Sequence, residues 1–200
     1  MNRAACALAV GLVGVAPAMA PGAWAQMATS PLAEPGAPRA AAPAPGEASP
    51  LAGTRLLGQG LLRFLGIEVY RARLWASPGF RPDDFAALPL ALELEYRLDF
   101  KAEAIARRSL DEMRRLGRFN EEQAQRWQQA LRAALPDVKA GDRLVGLHRP
   151  GVGAVFQQHG RTVGEVADPE FSRLFFGIWL SPATSEPALR QALIGPGRAS

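Results

Sequence analysis

Residues 90–100, LALELEYRLDF, alternate in a strict period of two. Leu90, Leu92, Leu94, Tyr96, Leu98 and Phe100 fall on one side; Glu93, Glu95, Arg97 and Asp99 fall on the other. That pattern fits a β-strand with one face on a core and one face in water. Half-buried strands belong to antiparallel sheets, since parallel strands are covered on both faces. The rest of the chain is therefore read as a search for the partners of this strand and for what covers its apolar face.

Two apolar runs, 55–65 and 67–76, flank Gly66 and read as a hairpin or a bent pair of strands. Further strands are expected over 143–149, 152–158 and 161–166, joined by RPGVG and HG turns into an antiparallel meander. GVGAVF from Gly151 is a turn rather than a dinucleotide loop, because no helix follows it.

The cover is helical. From Ala102 to Leu116 an apolar stripe of Ile105, Ser109, Met113 and Leu116 recurs at helical spacing, beside Ala102, Ala106 and Leu110. Gly117 is placed to end that helix with a left-handed cap. Asn120 with Gln123 three residues on forms a capping box, and Ala124, Trp127, Leu131 and Leu135 make the inner stripe of a second helix that Pro136 stops. Asp168 and Pro169 open a third with Phe171, Leu174, Phe175, Ile178 and Trp179 as its apolar residues, and a short last helix runs from about Glu186 to Leu193. Strands and helices come in blocks, which predicts an α+β fold: an antiparallel sheet with a layer of helices on one face.

The chain begins with a short positive region at Arg3, an apolar run too short to span a bilayer, and AWA before Gln26. This is the pattern of a signal peptide over 1–25, cut after Ala25, which predicts a periplasmic or secreted protein with no transmembrane segment once the signal is removed. Residues 26–50 are dominated by Ala and Pro without apolar periodicity and read as a disordered tether, leaving 51–200 as one domain. Cys6, the only cysteine, lies in the signal, so the mature chain has no disulfide and no cysteine metal site. A net charge of +4 without a Lys/Arg-rich run gives no reason to expect a nucleic-acid partner. His148 and His159 are isolated, read as surface residues, and lack metal-ligand spacing, no serine stands in a nucleophile elbow, and neither a metal nor a cofactor is expected.

Arginines interrupt the first two strands. Period-two counting puts Arg63 beside Leu57, Leu61 and Leu65, where a guanidinium needs an anionic partner from the protein or from a ligand. On the next strand Ile67, Val69, Arg71, Arg73 and Trp75 share one side and Glu68, Tyr70, Ala72 and Leu74 the other; Arg71 and Arg73 are expected to snorkel out of an edge strand. Tyr96 lies on the apolar face of its strand, where its hydroxyl must find a partner or line a cavity.

GQGLLRFLGIEVYRARLW resembles the first hairpin of chalcone-isomerase-like proteins, whose second strand reads G-x-x-V-Y-x-A-x-L-aromatic. LELEYRLDF before a helix ending RRLG, PDVKAGDRL before GVGAVFQQHGRTVGEV, and the closing DPEFSRLFFGIWLSPATSEPALRQALIG extend the resemblance over 54–195. It implies an open-faced antiparallel sheet with a helical layer and a ligand cleft between them. It also implies two functions: the plant isomerases close a chalcone with an arginine, a threonine, a tyrosine and an asparagine, while related members hold a fatty-acid carboxylate with an arginine and a tyrosine. Arg63 is the nearest match to the arginine, offset by about a residue. The threonine position falls at Tyr70, the catalytic tyrosine position at Phe100 or Lys101, and the asparagine position near Arg108.

The leading expectation is thus an exported, non-catalytic binder of a small amphipathic anion such as a fatty acid, with Arg63, Tyr70, Tyr96, Arg108 and Trp179 as ligand contacts and Trp127 and Phe175 as apolar walls. The alternatives are an isomerase or lyase acting on a phenolic or enone substrate, and a structural or partner-binding envelope protein. Oligomeric state is not legible in the sequence.

Overall fold

The computed structural model describes residues 49–195. The expected signal over 1–25 and almost all of the expected tether lie outside the described residues.

Six strands form one antiparallel sheet: β1 (Arg55–Phe64), β2 (Ile67–Ala76), β3 (Leu90–Tyr96), β4 (Arg143–Arg149), β5 (Gly153–Gln158) and β6 (Arg161–Val166). They lie in sequence order, so every strand pairs with its neighbour in the chain. Four helices pack with it: α1 (Ala102–Leu116), α2 (Glu121–Ala134), α3 (Pro169–Leu180) and α4 (Pro187–Ile194), and a 3-10 segment, Pro82–Ala87, links β2 to β3. The architecture is the expected α+β one.

The alternation of β3 sets the layers. Leu90, Leu92, Leu94 and Tyr96 are buried on the inner face, opposite Ala76, Leu74, Ala72 and Tyr70 of β2. This face and the helices enclose the main core, with Phe156 of β5, Trp127 of α2 and Phe171 and Phe176 of α3 among its largest members. The strand stops at Tyr96, short of the expected Phe100, which instead makes an isolated bridge to Val138 through two backbone hydrogen bonds of 2.9 Å.

The helix signals are realised with one difference. Asn120 and Gln123 form both bonds of the capping box, and the Asp168 carboxylate accepts from the Glu170 and Phe171 amides at the start of α3. The same carboxylate accepts from Trp127 Nε1 at 2.8 Å, tying α2 to α3. Gly117 does not adopt the left-handed cap; its φ is −165°, which is extended backbone. Its lack of a side chain serves packing, because a Cβ there would stand 2.7 Å from Leu174 Cδ2.

His148, expected at the surface, is buried on the inner face. Its Nδ1 lies 2.7 Å from Ser172 Oγ and its Nε2 3.0 Å from the Ala86 carbonyl, so it pins α3 and the 3-10 segment to β4. Burial pushes the imidazole below its usual range, and the Ala86 carbonyl, which can only accept, takes the Nε2–H.

The arginines of the first hairpin are set by the outer face. β2 lies between β1 and β3, so Arg71 and Arg73 are not on an edge strand as expected. Arg73 is buried, with Nη1 2.8 Å from Glu93 Oε1 and Nη2 3.8 Å from Glu95 Oε2. Arg97 and Arg143 close on the same Glu95 at 2.8 and 3.5 Å. The polar side of the alternating strand is therefore a ladder of ion pairs, with the Glu93 and Glu95 side chains only 12% and 15% exposed, rather than a face in open water.

Candidate functional site

The site is built where the inner face of the sheet meets the last turn of α3. The β2–β3 register sets Tyr70 directly opposite Tyr96, and their rings meet edge to face with centroids 6.1 Å apart. Trp179 comes from α3, held edge-on against Phe175 with centroids 5.5 Å apart. Its indole Nε1 donates to the Tyr70 hydroxyl at 3.0 Å.

Burial pushes both phenols above their usual range. For Tyr70 desolvation is opposed by the Trp179 hydrogen bond and reinforced by Tyr96, Glu186 and Glu112; for Tyr96 desolvation acts alone. Both are neutral donors. Tyr70 accepts from Trp179 with its own proton still to give, and Tyr96 is 4% exposed with no hydrogen bond to its hydroxyl among the described residues. The two phenols stand side by side on the inner face as candidate donors to another molecule.

Charge comes from α1 and from the turn before α4. Arg108 pairs with Glu112 one helical turn along, and Glu112 also lies 3.8 Å from Arg115 Nε. Glu112 is buried although charged, because it sits on the stripe of α1 between Ser109 and Met113. Thr184 Oγ1 accepts from the Glu186 amide at 3.1 Å and fixes the turn that follows α3. Burial, then repulsion from Glu112, raises the Glu186 carboxyl, and Arg108 partly offsets this. Glu112 and Glu186 thus share the neighbourhood of Tyr70, with Arg108 acting on both and Arg115 also on Glu112.

Tyr70, Tyr96 and Trp179 of the sequence-based site are brought together, Phe175 backs Trp179, and Arg108 pairs with Glu112 on α1. Arg63 is not among them. A register irregularity between Leu62 and Arg63 breaks the period-two count: Leu62 pairs with Tyr70, but Arg63 pairs with Glu68. Arg63 therefore points to solvent at the hairpin end, 61% exposed and 2.9 Å from Glu68. Leu61, counted with it, pairs with Arg71 on the outer face. Trp127, expected as a wall, packs instead between α2 and α3 against Phe119 and Phe171. Lys101 is exposed and bonded to Asp137 at 2.7 Å. Sequence reasoning missed Glu112 and Glu186; a carboxylate on the apolar stripe of α1, four residues after Arg108, was the available signal for the first.

A surface depression of about 470 Å³ lies on the other face of the sheet, lined among others by Glu93, Arg143, Val145, Gln157 and His159. It is open, and its Glu93 and Arg143 are already ion-paired. Among the described residues no group of His, Cys, Asp and Glu is arranged to hold a metal ion, and no helix is long and apolar enough to cross a membrane.

No curated protein matches it. Among solved structures it resembles the crystal structure of an Arabidopsis thaliana fatty-acid binding protein, with a TM-score of 0.55 and 15% identity over 72% of this chain and 87% of the other. At that identity the likeness shows the fold. A family model described as chalcone isomerase-like matches residues 52–195. That span takes in every described strand and helix, and the chain belongs to the chalcone isomerase-like family.

Proposed function

We propose that the domain is a non-catalytic binder of a fatty-acid-sized amphipathic molecule. Its polar head meets Tyr70, Tyr96, Trp179 and Arg108. Its tail runs along inner-face apolar side chains that remain only partly buried, among them Leu62, Ile105 and Ile178. The observation that carries this reading is the cluster of Tyr70, Tyr96 and Trp179 on the inner face, two phenols paired across β2 and β3 beside an indole donor. The fold shared with a fatty-acid binding protein supports it. Arg63 has no part in it, being exposed and paired with Glu68.

Titration with dodecanoate, read by the fluorescence of Trp179, tests the proposal. One molecule per chain is expected to bind, and Tyr96→Phe is expected to weaken binding by about 0.5–1.5 kcal/mol, the contribution of one hydrogen bond. Absence of binding for saturated chains from about eight to sixteen carbons would overturn the reading.

The same reading places the protein outside the cytoplasm, supported by the apolar run and AWA of residues 1–25. Sequencing the N-terminus of the mature protein should return Gln26; Met1 would refute export by cleavage.

A further inference from the structure

We infer that the tip of the β1–β2 hairpin docks on the surface of an anionic lipid bilayer. Leu65 and Ile67 enter the acyl boundary, and arginines behind them meet the lipid phosphates. The inference goes beyond the ligand reading and stands without it, since none of the residues it uses belongs to the candidate site.

Only Leu65 and Gly66 join the two strands, closed by the Phe64–Ile67 pair. Both have positive φ, 49° and 83°, the I′ pattern that favours Asn-Gly. Glycine adopts it freely; a leucine there is an outlier, and strain of this kind persists at functional positions. The same leucine is 83% exposed, more than any other large apolar residue described, and Ile67 beside it is 55% exposed. Asparagine at 65 would remove both costs. Charge points to lipid as the partner. Arg63 is held by Glu68 at 2.9 Å in an exposed pair, weak enough to exchange for a phosphate. Arg71, opposite Leu61 on the outer face, has no carboxylate within 4 Å among the described residues. Glu95, opposite it in the register, lies instead against Arg73, Arg97 and Arg143. Size points the same way. Two exposed apolar side chains fall far short of the ~800 Å² per partner of a stable protein interface. A bilayer surface needs only a small inserted apolar area with basic residues behind it. Tyr70 stands on β2 about 10 Å from Ile67 at the usual strand rise, so docking brings the candidate site close to the bilayer.

Flotation of the full chain with phosphatidylethanolamine–phosphatidylglycerol vesicles tests this, with phosphatidylcholine vesicles as the neutral arm. The parent should float with the anionic vesicles and more weakly with the neutral ones. Leu65→Asn should weaken that partitioning about tenfold or more, as expected when one apolar side chain is withheld from the acyl boundary. Its thermal midpoint should equal or exceed the parent's, because asparagine suits the turn; a folding defect is thereby separated from a docking defect. Arg63→Gln should lower partitioning into the anionic vesicles about fivefold and leave the neutral arm unchanged. Val152→Asn is the control: Val152 is also an exposed apolar residue, but it lies between β4 and β5 at the opposite end of the sheet, and its variant should float as the parent does. Equal flotation of the parent and Leu65→Asn would overturn the inference, as would a parent that floats with neither vesicle. Self-association of the parent that Leu65→Asn abolishes, without flotation, would assign the tip to a second copy of the chain and overturn it as well. Dodecanoate titration is a separate readout, and its failure would overturn the ligand reading alone.

Discussion

Arg73→Met should cost the fold roughly 3–5 kcal/mol, the range for removing one partner from a buried ion pair. The guanidinium lies between Glu93 and Glu95, with side chains 10%, 12% and 15% exposed. Methionine conserves length and apolar packing but leaves both carboxylates short of their counter-charge on a face where they are largely shielded from water. Glu95 retains Arg97 and Arg143; Glu93 has no second cation within 4 Å among the described residues and bears most of the loss. Arg63→Met is the control. That residue also sits in the first hairpin and also pairs with a glutamate, but at 61% and 44% exposure. Exposed pairs contribute little, so its effect should stay within about 0.5 kcal/mol. Denaturant melts of the two variants decide the matter: equal losses, or a loss below about 1 kcal/mol for Arg73→Met, would show that the ladder is not buried in the sense that counts.

Gly58→Val should be comparably damaging for a steric reason. α4 lies directly on the inner face of β1, and a Cβ built on Gly58 would strike the Ala192 and Leu193 carbonyls, which are backbone and cannot swing aside. Gly60 repeats the situation two residues on, where a Cβ would come within 2.6 Å of Leu189 Cδ1. Valine is a good strand former, so propensity alone favours the change. Overpacking should outweigh it by about 3 kcal/mol as α4 is displaced. Gln59→Val, between the two glycines but opposite Arg73 on the outer face, should stay within about 0.5 kcal/mol. A thermal midpoint for Gly58→Val within about 2 °C of the parent would refute the close approach.

These two variants also mark where sequence reasoning succeeded and where it stopped. The register of β3 was readable because one face is buried, and a slip by one residue would have turned Leu92 and Leu94 to the other side. Helix ends were readable where side chains cap them, as at Asn120 and Asp168. Arg63 was misplaced because periodicity assumes an unbroken pleat, and the irregularity after Leu62 leaves no mark in composition. Arg73 was misjudged because an edge strand and an interior strand read alike until the partners on both sides are known. The candidate site was legible through residue type at Tyr70, Tyr96 and Trp179, which lie in strand and helix patterns. Glu186 escaped because its neighbours Glu112 and Arg108 belong to an element far away in sequence, and a charge in a turn carries no periodic signal.

The meander order of the sheet bears on how the molecule assembles. Each hairpin from β1 to β6 closes over a short or moderate stretch of chain, apart from the helical excursion before β4. The docking of α4 on β1 joins the two ends of the domain and carries a far larger loop-closure entropy. Contacts of that kind form late in folding, after local pairing has shortened the effective loop. Glu186 stands at the start of α4, so the acidic side of the cleft exists only once this last step is complete. The position of Glu186 beside the candidate site therefore depends on the same contact, the two bare glycines of β1 beneath α4.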